Sequence, residues 1–434
     1  MSDITPIGLT NWRHIKQPFG IKLNDRFGHI YCLGKTGVGK STLLLNMAIS
    51  DIEQGHGICV IDPHGDISKR LLEHIPRERI DDVIYFNAND TDLPIGFNLL
   101  KGIHPNYYHL VVSGLISTFK NIWAENWGPR LEYILRFCLL TLFEYPDATL
   151  LDIQPLLTDY SFRNKVLGYV TNPHIHAFWN QEFDKYSPAL KAEATAPILN
   201  KTGVFLTSLP LRNIVGQKIR SFSMQQVLDE GKILIANLSK GEIGEDATSL
   251  LGSILVTSIQ LAALYRATQE EHSRKPFFLF VDECHSFISH SFADVLSEAR
   301  KFRLSLFLTH QYIDQLDEQI QSAIFGNVGT MISFRIGAGD AIRLVKEFQP
   351  TFDESDLINL PLHSMYIKLM IDGATSKPFS AMTIPLTNST YPFRKDVIML
   401  SQNKYGRPRQ LVEKDIFSRY KFNNNEDIQG TLFD

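Results

Sequence analysis

Short runs of consecutive apolar residues, each ending in a polar loop, recur along the first hundred residues of the chain. His29 to Leu33 leads into Gly-rich sequence and then into Ser41 to Asp51, where Leu43, Leu44, Leu45, Met47 and Ala48 suit a packed helix. The pattern predicts strand, loop, helix. Gly57 to Ile61 stops at Asp62-Pro63-His64-Gly65-Asp66, and Asp82 to Phe86 stops at Asn87-Ala88-Asn89-Asp90. Both predict buried parallel strands with polar loops at their C-terminal ends. From about Asn98 to Gln217 the period changes, because Leu110 to Phe119, Arg130 to Phe143 and Lys191 to Leu206 repeat apolar residues at helical spacing. Strand patterns return at Lys232 to Leu238, Phe277 to Val281, Leu304 to Thr309, Val328 to Ile336 and Ser364 to Met370, with helices between most of them. This order predicts an α/β core on a parallel-type sheet, interrupted by an all-helical insertion. The expected division is 1–97 and 218–385 for the two parts of the core, 98–217 for the insertion, and 386–434 for a basic C-terminal extension and flexible tail. That last segment carries Arg394, Lys395, Lys404, Arg407, Arg409 and Lys414 before an Asn-rich end.

Composition narrows the classes. With 434 residues, 44% hydrophobic and 21% charged, the chain is an ordinary folded protein, and disordered or collagen-like classes are excluded. Lysine and arginine number 43 against 47 acidic residues, a net charge of -4, so any nucleic acid must be met at a local site. Cys32, Cys59, Cys138 and Cys284 lie far apart in apolar contexts, with no C-x-x-C pair, and read as buried thiols of a reducing cytoplasm. Met1 to Gly20 lacks the apolar region of a signal peptide. The longest apolar stretch, Ile254 to Tyr265, is interrupted by Thr257, Ser258 and Gln260 and falls short of the ~20 residues that span a bilayer. The expectation is a cytoplasmic protein without membrane insertion.

The chemistry concentrates in three places. Gly34-Lys35-Thr36-Gly37-Val38-Gly39-Lys40-Ser41 fits G-x-x-x-x-G-K-[ST] between a predicted strand and helix, with Thr42 following. Glycines let backbone N–H groups curl around phosphate oxygens, the helix N-terminus adds its dipole, Lys40 supplies a point charge, and Ser41 is a Mg²⁺ ligand. The strand Phe277-Phe278-Leu279-Phe280-Val281 then delivers Asp282 to the metal and Glu283 to an attacking water. The next strand ends at His310-Gln311; Gln311 can sense the γ-phosphate, while His310 reads as a packing or solvated residue. Together these predict a RecA-like P-loop NTPase core that binds ATP and Mg²⁺ and hydrolyses ATP. No nuclease, relaxase or protease constellation is present.

With those residues in view, the chain resembles the HerA/FtsK superfamily of ring-forming, DNA-pumping ATPases, and within it the soluble motor domain of type IV secretion (conjugative) coupling proteins. The likeness covers roughly Gly28 to Met382. It rests on Gly34 to Ser41, Ile61 to Asp66, Ala236-Asn237-Leu238-Ser239-Lys240-Gly241, Val281-Asp282-Glu283, Ala299-Arg300-Lys301-Phe302, Thr309-His310-Gln311 and Gly326-Asn327-Val328-Gly329-Thr330. The resemblance implies a homohexamer with ATP between neighbouring subunits and an arginine reaching it in trans. That arginine falls on Arg300, with Arg335, on the strand Met331 to Ile336, and Arg303 as competitors. It also implies an ATP-driven DNA translocase or helicase, with DNA in the ring pore, in a mobile-element transfer or anti-phage defence setting alongside a separate nuclease or effector subunit. The alternatives are a nucleotide-gated ring scaffold that organises such an effector, and a protein-translocating ATPase.

Signals for contacts with DNA and partners are sparser. The loop Ser239 to Gly244 and the segment after Gln311 are candidates for the pore. Trp123, Trp127, Arg130 and Lys201 could form a DNA-facing surface on the helical insertion, although tryptophans in such a setting more often pack in a core. Gln429-Gly430-Thr431-Leu432-Phe433 fits the Q-x-x-L-F peptide that docks on the sliding clamp, with Gln429, Leu432 and Phe433 as its fixed positions; the alternatives are a tail packing on its own ring or an unrelated partner.

Overall fold

The computed structural model describes residues 3–419 apart from 12, 14, 125–126, 289 and 388–390. The apolar runs form β3 (Ile30–Leu33), β4 (Gly57–Asp62), β5 (Val83–Asn87), β6 (Ile233–Asn237), β7 (Phe277–Val281), β8 (Leu304–His310) and β9 (Thr330–Ser333). They pair in parallel in the order β9-β3-β8-β7-β4-β6-β5. Helices cover both faces, so the strands are largely apolar and their residues alternate between two cores. In β3, Ile30 and Cys32 join the layer under the helix Lys40–Glu53, while Tyr31 and Leu33 join the layer on the other face.

The sheet continues beyond β9 with antiparallel strands that the apolar pattern does not reveal in full. β10 (Ser364–Lys368) was expected; β1 (Ile4–Thr10), β2 (Pro18–Lys22) and β13 (Phe379–Thr383) were not, and the eleven-stranded order begins β2-β1-β13-β10-β9. β1 and β2 carry Pro6, Gly8, Pro18 and Gly20, and their register shifts between Pro6 and Gly8. Prolines, glycines and bulges mark sheet edges and weaken a strand signal for the same reason that they discourage further pairing. A small hairpin of β11 (Met370–Ile371) and β12 (Ala374–Thr375) stands apart.

All regular elements described between 105 and 215 are helical, led by Tyr108–Ile122, Pro129–Glu144 and Pro188–Thr207. One buried cluster runs from the sheet through these helices. The helix Tyr108–Ile122 lies so close to the helix Glu245–Tyr265 that a Cβ on Gly114 would meet Thr257 Cγ2 at 3.0 Å. The segment Glu245–Thr268 is long and apolar enough to cross a membrane, which corrects the shorter apolar span expected from 254–265; most of it is buried inside the protein. Trp123 stacks on Phe119 and Trp127 Nε1 donates to Glu132, so both tryptophans are taken up by packing. All four cysteines are free and buried, and burial pushes Cys32 up to about 12.

The basic segment near the C-terminus also differs from the expected tail. Arg394–Tyr405 and Arg409–Phe417 are helices, the first held to β5 by Tyr85 N donating to Ser401 Oγ and the second anchored by Val412 and Ile416. Gln429, Leu432 and Phe433 lie outside the described residues.

Candidate functional site

The C-terminal ends of β3, β7 and β8 meet in a cleft of about 650 Å³. β3 runs into the glycine-rich loop, where Gly37 and Gly39 have φ of 77° and 124°, a region that side chains with a Cβ avoid. A Cβ on Gly39 would meet the Phe334 ring at 3.0 Å and His363 Nδ1 at 3.2 Å. The loop is pinned from below by Val38, which is buried, and from the side by Lys35 N donating to the Arg335 carbonyl at 2.9 Å. Lys40 is buried, and its Nζ donates to the carbonyls of Gly34 at 2.5 Å and Lys35 at 3.1 Å. The loop therefore holds the ammonium over its own backbone. Thr36, Gly37, Gly39, Lys40, Ser41 and Thr42 line the cleft; Gly34, Lys35 and Val38 shape the loop without lining it.

The opposite wall is acidic. Asp282 follows β7 and is buried beside β8, where the Thr309 hydroxyl donates to its Oδ1 at 2.5 Å. Burial pushes Asp282 up to about 6; Glu283 and Asp62 nearby add to this, while the Thr309 hydrogen bond and Lys40 oppose it. The next residue, Glu283, sits in the left-handed region at φ 48° and turns its side chain toward β8. Gln311 Nε2 donates to its Oε1 at 2.8 Å. Its Oε2 is buried without a hydrogen-bond partner among the described residues, 3.5 Å from His285 Nδ1. The carboxylate of this cleft-lining residue thus has one oxygen held and one buried without a donor.

Asp62 at the end of β4 is satisfied by the backbone, accepting from His64 N, Gly65 N and Ser68 N at 3.0, 2.9 and 2.7 Å. Its loop is tied to the one after β6, where Lys240 N donates to the Pro63 carbonyl at 2.9 Å. Asp62 therefore shapes the cleft and has little capacity left for a ligand. His310 is fully buried, bonded to the Tyr31 hydroxyl and pulled down to about 3 by burial, so it is a neutral packing residue.

Lys40, Ser41, Asp282, Glu283 and Gln311 converge on this cleft; Arg300, Arg303 and Arg335 do not line it. Arg300 is exposed on the turn Ala299–Phe302, which leads into β8 at the other end of the sheet. Arg335 is half-buried two residues past β9, which corrects its expected place within the strand. Arg303 lies 5.3 Å from the centroid of Phe27. Sequence reading gave no role to His64, Asp66, Arg70 or His363, all of which line the cleft, or to His285. The Asp62-to-Asp66 loop was visible as a motif. His363 comes from the turn before β10 and carried no signal of its own.

Mg²⁺ at a phosphate-transfer site is held by one or two protein groups together with phosphates and water. The Ser41 hydroxyl and the Asp282 carboxylate, flanking a glycine cradle, suit that role. Among the described residues no cluster of three or more His, Cys, Asp or Glu forms a metal cage.

The type IV secretion-system coupling protein DNA-binding domain family matches residues 17–348. No curated protein matches the chain. Among solved structures, the plasmid coupling protein TrwB in complex with ADP and Mg²⁺ superposes with a TM-score of 0.61 at 16% identity, over 86% of this chain and 89% of that one. Unbound TrwBdeltaN70, a bacterial conjugative coupling protein, gives 0.59 at 17% identity over the same shares. VirB4 of Thermoanaerobacter pseudethanolicus gives 0.53 at 15% identity, over 91% of this chain and 98% of that one. At such identities the likeness establishes the fold, a RecA-like P-loop core with a helical region.

Proposed function

The chain belongs to the type IV secretion-system coupling protein DNA-binding domain family, and from that premise we propose that it is an ATP-driven DNA translocase or helicase working as a homohexameric ring. The observation that carries the reading is the shared cleft: a glycine cradle with Lys40 on one wall, and Asp282 and Glu283 on the other, with Gln311 bonded to Glu283. TrwB has been solved with ADP and Mg²⁺, which supports the same pair of ligands here.

In this reading the triphosphate lies along Gly34 to Ser41, with Thr36 and Thr42 at its sides. The Lys40 ammonium exchanges its two loop carbonyls for β- and γ-phosphate oxygens. Ser41 and Asp282 would hold Mg²⁺, which would supply charge neutralisation at the phosphates. The unpartnered Oε2 of Glu283 accepts the proton of a water whose oxygen attacks the γ-phosphorus as the bond to the bridging oxygen breaks. Gln311 keeps Glu283 aimed and couples it to the end of β8. Arg300 projects from the end of the sheet remote from its own cleft, so it is available to the cleft of a neighbouring subunit, where its planar donors match the γ-phosphoryl oxygens. Arg335, which adjoins its own phosphate loop, is the second candidate for that role.

The helical segment 98–217 is proposed as a distinct insertion on this motor, and the loop at Lys240 as a pore contact. Mobile-element transfer is the setting that the family favours, with defence alongside a separate nuclease as the other.

The test is ATP hydrolysis by the purified protein with and without single- and double-stranded DNA across a salt series, with Lys40→Ala as control. Stimulation that fades as salt rises is the expected result, because phosphate contacts release counterions. Turnover that ignores DNA would overturn the motor and favour a nucleotide-gated scaffold.

A further inference from the structure

A second cleft, of about 400 Å³, opens between the loop 102–107, the segment 220–225 and the helix Glu245–Tyr265. It shares no lining residue with the nucleotide cleft. Arg220 lines it, and the guanidinium has an unusual standing. Its Nε and Nη2 are both buried without a hydrogen-bond partner among the described residues. Burial alone pulls it down to about 10, with no neighbouring carboxylate contributing, so it is charged at neutral pH. Its carbon lies 4.8 Å from the centroid of Phe97, which fixes the plane of the fork without satisfying its donors.

Other buried arginines are paired: Arg26 with Asp51, and Arg266 with Asp229. An uncompensated buried cation is costly, and the ordinary remedy is a carboxylate brought by the same chain. Here the cleft gathers donors for an anion from outside, which would meet the guanidinium through Nη1, the nitrogen not sealed in the interior. His104 Nδ1 accepts from Asn106 N, which leaves the proton on Nε2 as a donor, and Ser223 Oγ accepts from Gln226 N with its own proton to give. Met224 and Leu261 supply an apolar floor, and Tyr265 stands half-exposed at the rim.

We propose that this cleft binds a small organic anion: a carboxylate or phosphate-monoester head on an apolar or aromatic body, with Arg220 gripping the head and Met224, Leu261 and Tyr265 covering the body. The site stands on its own geometry and does not depend on the motor reading.

Isothermal titration of the full chain with benzoate and with phenyl phosphate tests it, using wild type, Arg220→Met and Lys40→Ala. Saturable binding of at least one probe is expected in wild type and in Lys40→Ala, weakened roughly tenfold to a hundredfold in Arg220→Met, the loss for charged hydrogen bonds. Which probe binds distinguishes the two heads. Thermal melting of ligand-free Arg220→Met is expected at or above wild type, since the variant removes an unpaired buried charge. Should that variant not fold, Arg220→Lys keeps the charge but loses the planar fork, and is expected to weaken benzoate more than phenyl phosphate. Absence of saturable binding for both probes overturns the proposal. So does binding that survives the Arg220 substitutions, and binding lost in Lys40→Ala, which would place the anion in the phosphate loop.

Discussion

The two ends of the parallel sheet treat buried charge in opposite ways. At the N-terminal ends of the strands, Arg26 donates to Asp51 through both Nη1 and Nη2 at 2.9 Å, reaches Thr5 at 2.8 Å, and stands 4.1 Å from the centroid of Phe278. The pair is closed; both side chains are almost wholly buried. At the C-terminal ends, Asp282 is raised by burial, Glu283 has one oxygen without a partner, and Lys40 rests on backbone carbonyls. One end ties β1, the helix Lys40–Glu53 and the sheet together. The other is left electrostatically incomplete in the way a phosphate and its metal would complete it. The contrast teaches that a buried charge is structural where the chain supplies its partner, and functional where it withholds one.

The largest effects are expected at the incomplete end. Lys40→Ala should abolish ATP turnover, read by phosphate release. Glu283→Gln should lower turnover by about 10²- to 10⁴-fold while keeping nucleotide binding, since it removes the proton acceptor and leaves the cradle intact. An active Glu283→Gln enzyme would show that Oε2 lacks a partner for some other reason and would break the contrast there.

The closed end should answer in stability instead. Arg26→Met leaves Asp51 buried with only Thr5 beside it, and a loss of about 3–5 kcal/mol is expected in denaturant unfolding, the usual result of removing one member of a buried pair. The double change Arg26→Met with Asp51→Leu should recover most of it, because both charges then leave together. If the single variant melts like wild type, the pair does not hold this end shut.

A smaller, partial effect is expected from subunit mixing. Arg300→Ala and Lys40→Ala, each inactive alone, should regain a fraction of wild-type turnover when mixed, because some interfaces then combine an intact cradle with an intact arginine. Complementation by Arg335→Ala and not by Arg300→Ala would move the trans arginine next to the phosphate loop.

How much of this was legible in the sequence follows the same division. β3 to β8 were visible because strands covered on both faces are largely apolar, and the phosphate loop and Asp282-Glu283 were visible because their spacing is local. β1, β2 and β13 were missed: only some positions of these antiparallel strands are buried, and Pro6, Gly8 and Pro18 argue against a strand when read alone. The helices Arg394–Tyr405 and Arg409–Phe417 were missed because two buried residues apiece, Val397 with Ser401 and Val412 with Ile416, anchor otherwise polar segments. Long-range partners were invisible for a different reason. Arg26 and Asp51, Glu283 and Gln311, and Arg220 facing no acid at all are facts of assembly, and no local pattern announces them.

The finest test of the contrast is the pH dependence of stability. His29, at the closed end, is fully buried between the Leu296 carbonyl and Leu306 N, and burial pulls it down to about 4. His310 is held at about 3. Both take up a proton in the unfolded chain below about 6.5 and resist it when folded, so stability is lost as pH falls below about 6.5, by up to about 1 kcal/mol per pH unit for each. Asp282 works the other way. Its folded value of about 6 exceeds the unfolded one, so the folded chain holds that proton more tightly, and stability is regained as pH falls from about 6 toward 4. Thermal unfolding should therefore lose stability below about pH 6.5, with the gain from Asp282 offsetting roughly half of what the two histidines cost once the pH is below about 5.5. Asp282→Asn should make the fall nearly twice as steep between about pH 5.5 and 4.5. His29→Asn, a residue that tolerates the positive φ of 62° at this position, should flatten it. A wild-type curve as steep as that of Asp282→Asn would mean that Asp282 is ionised in the folded chain at ordinary carboxylate pH, and that the C-terminal end of the sheet is less starved of partners than its geometry indicates.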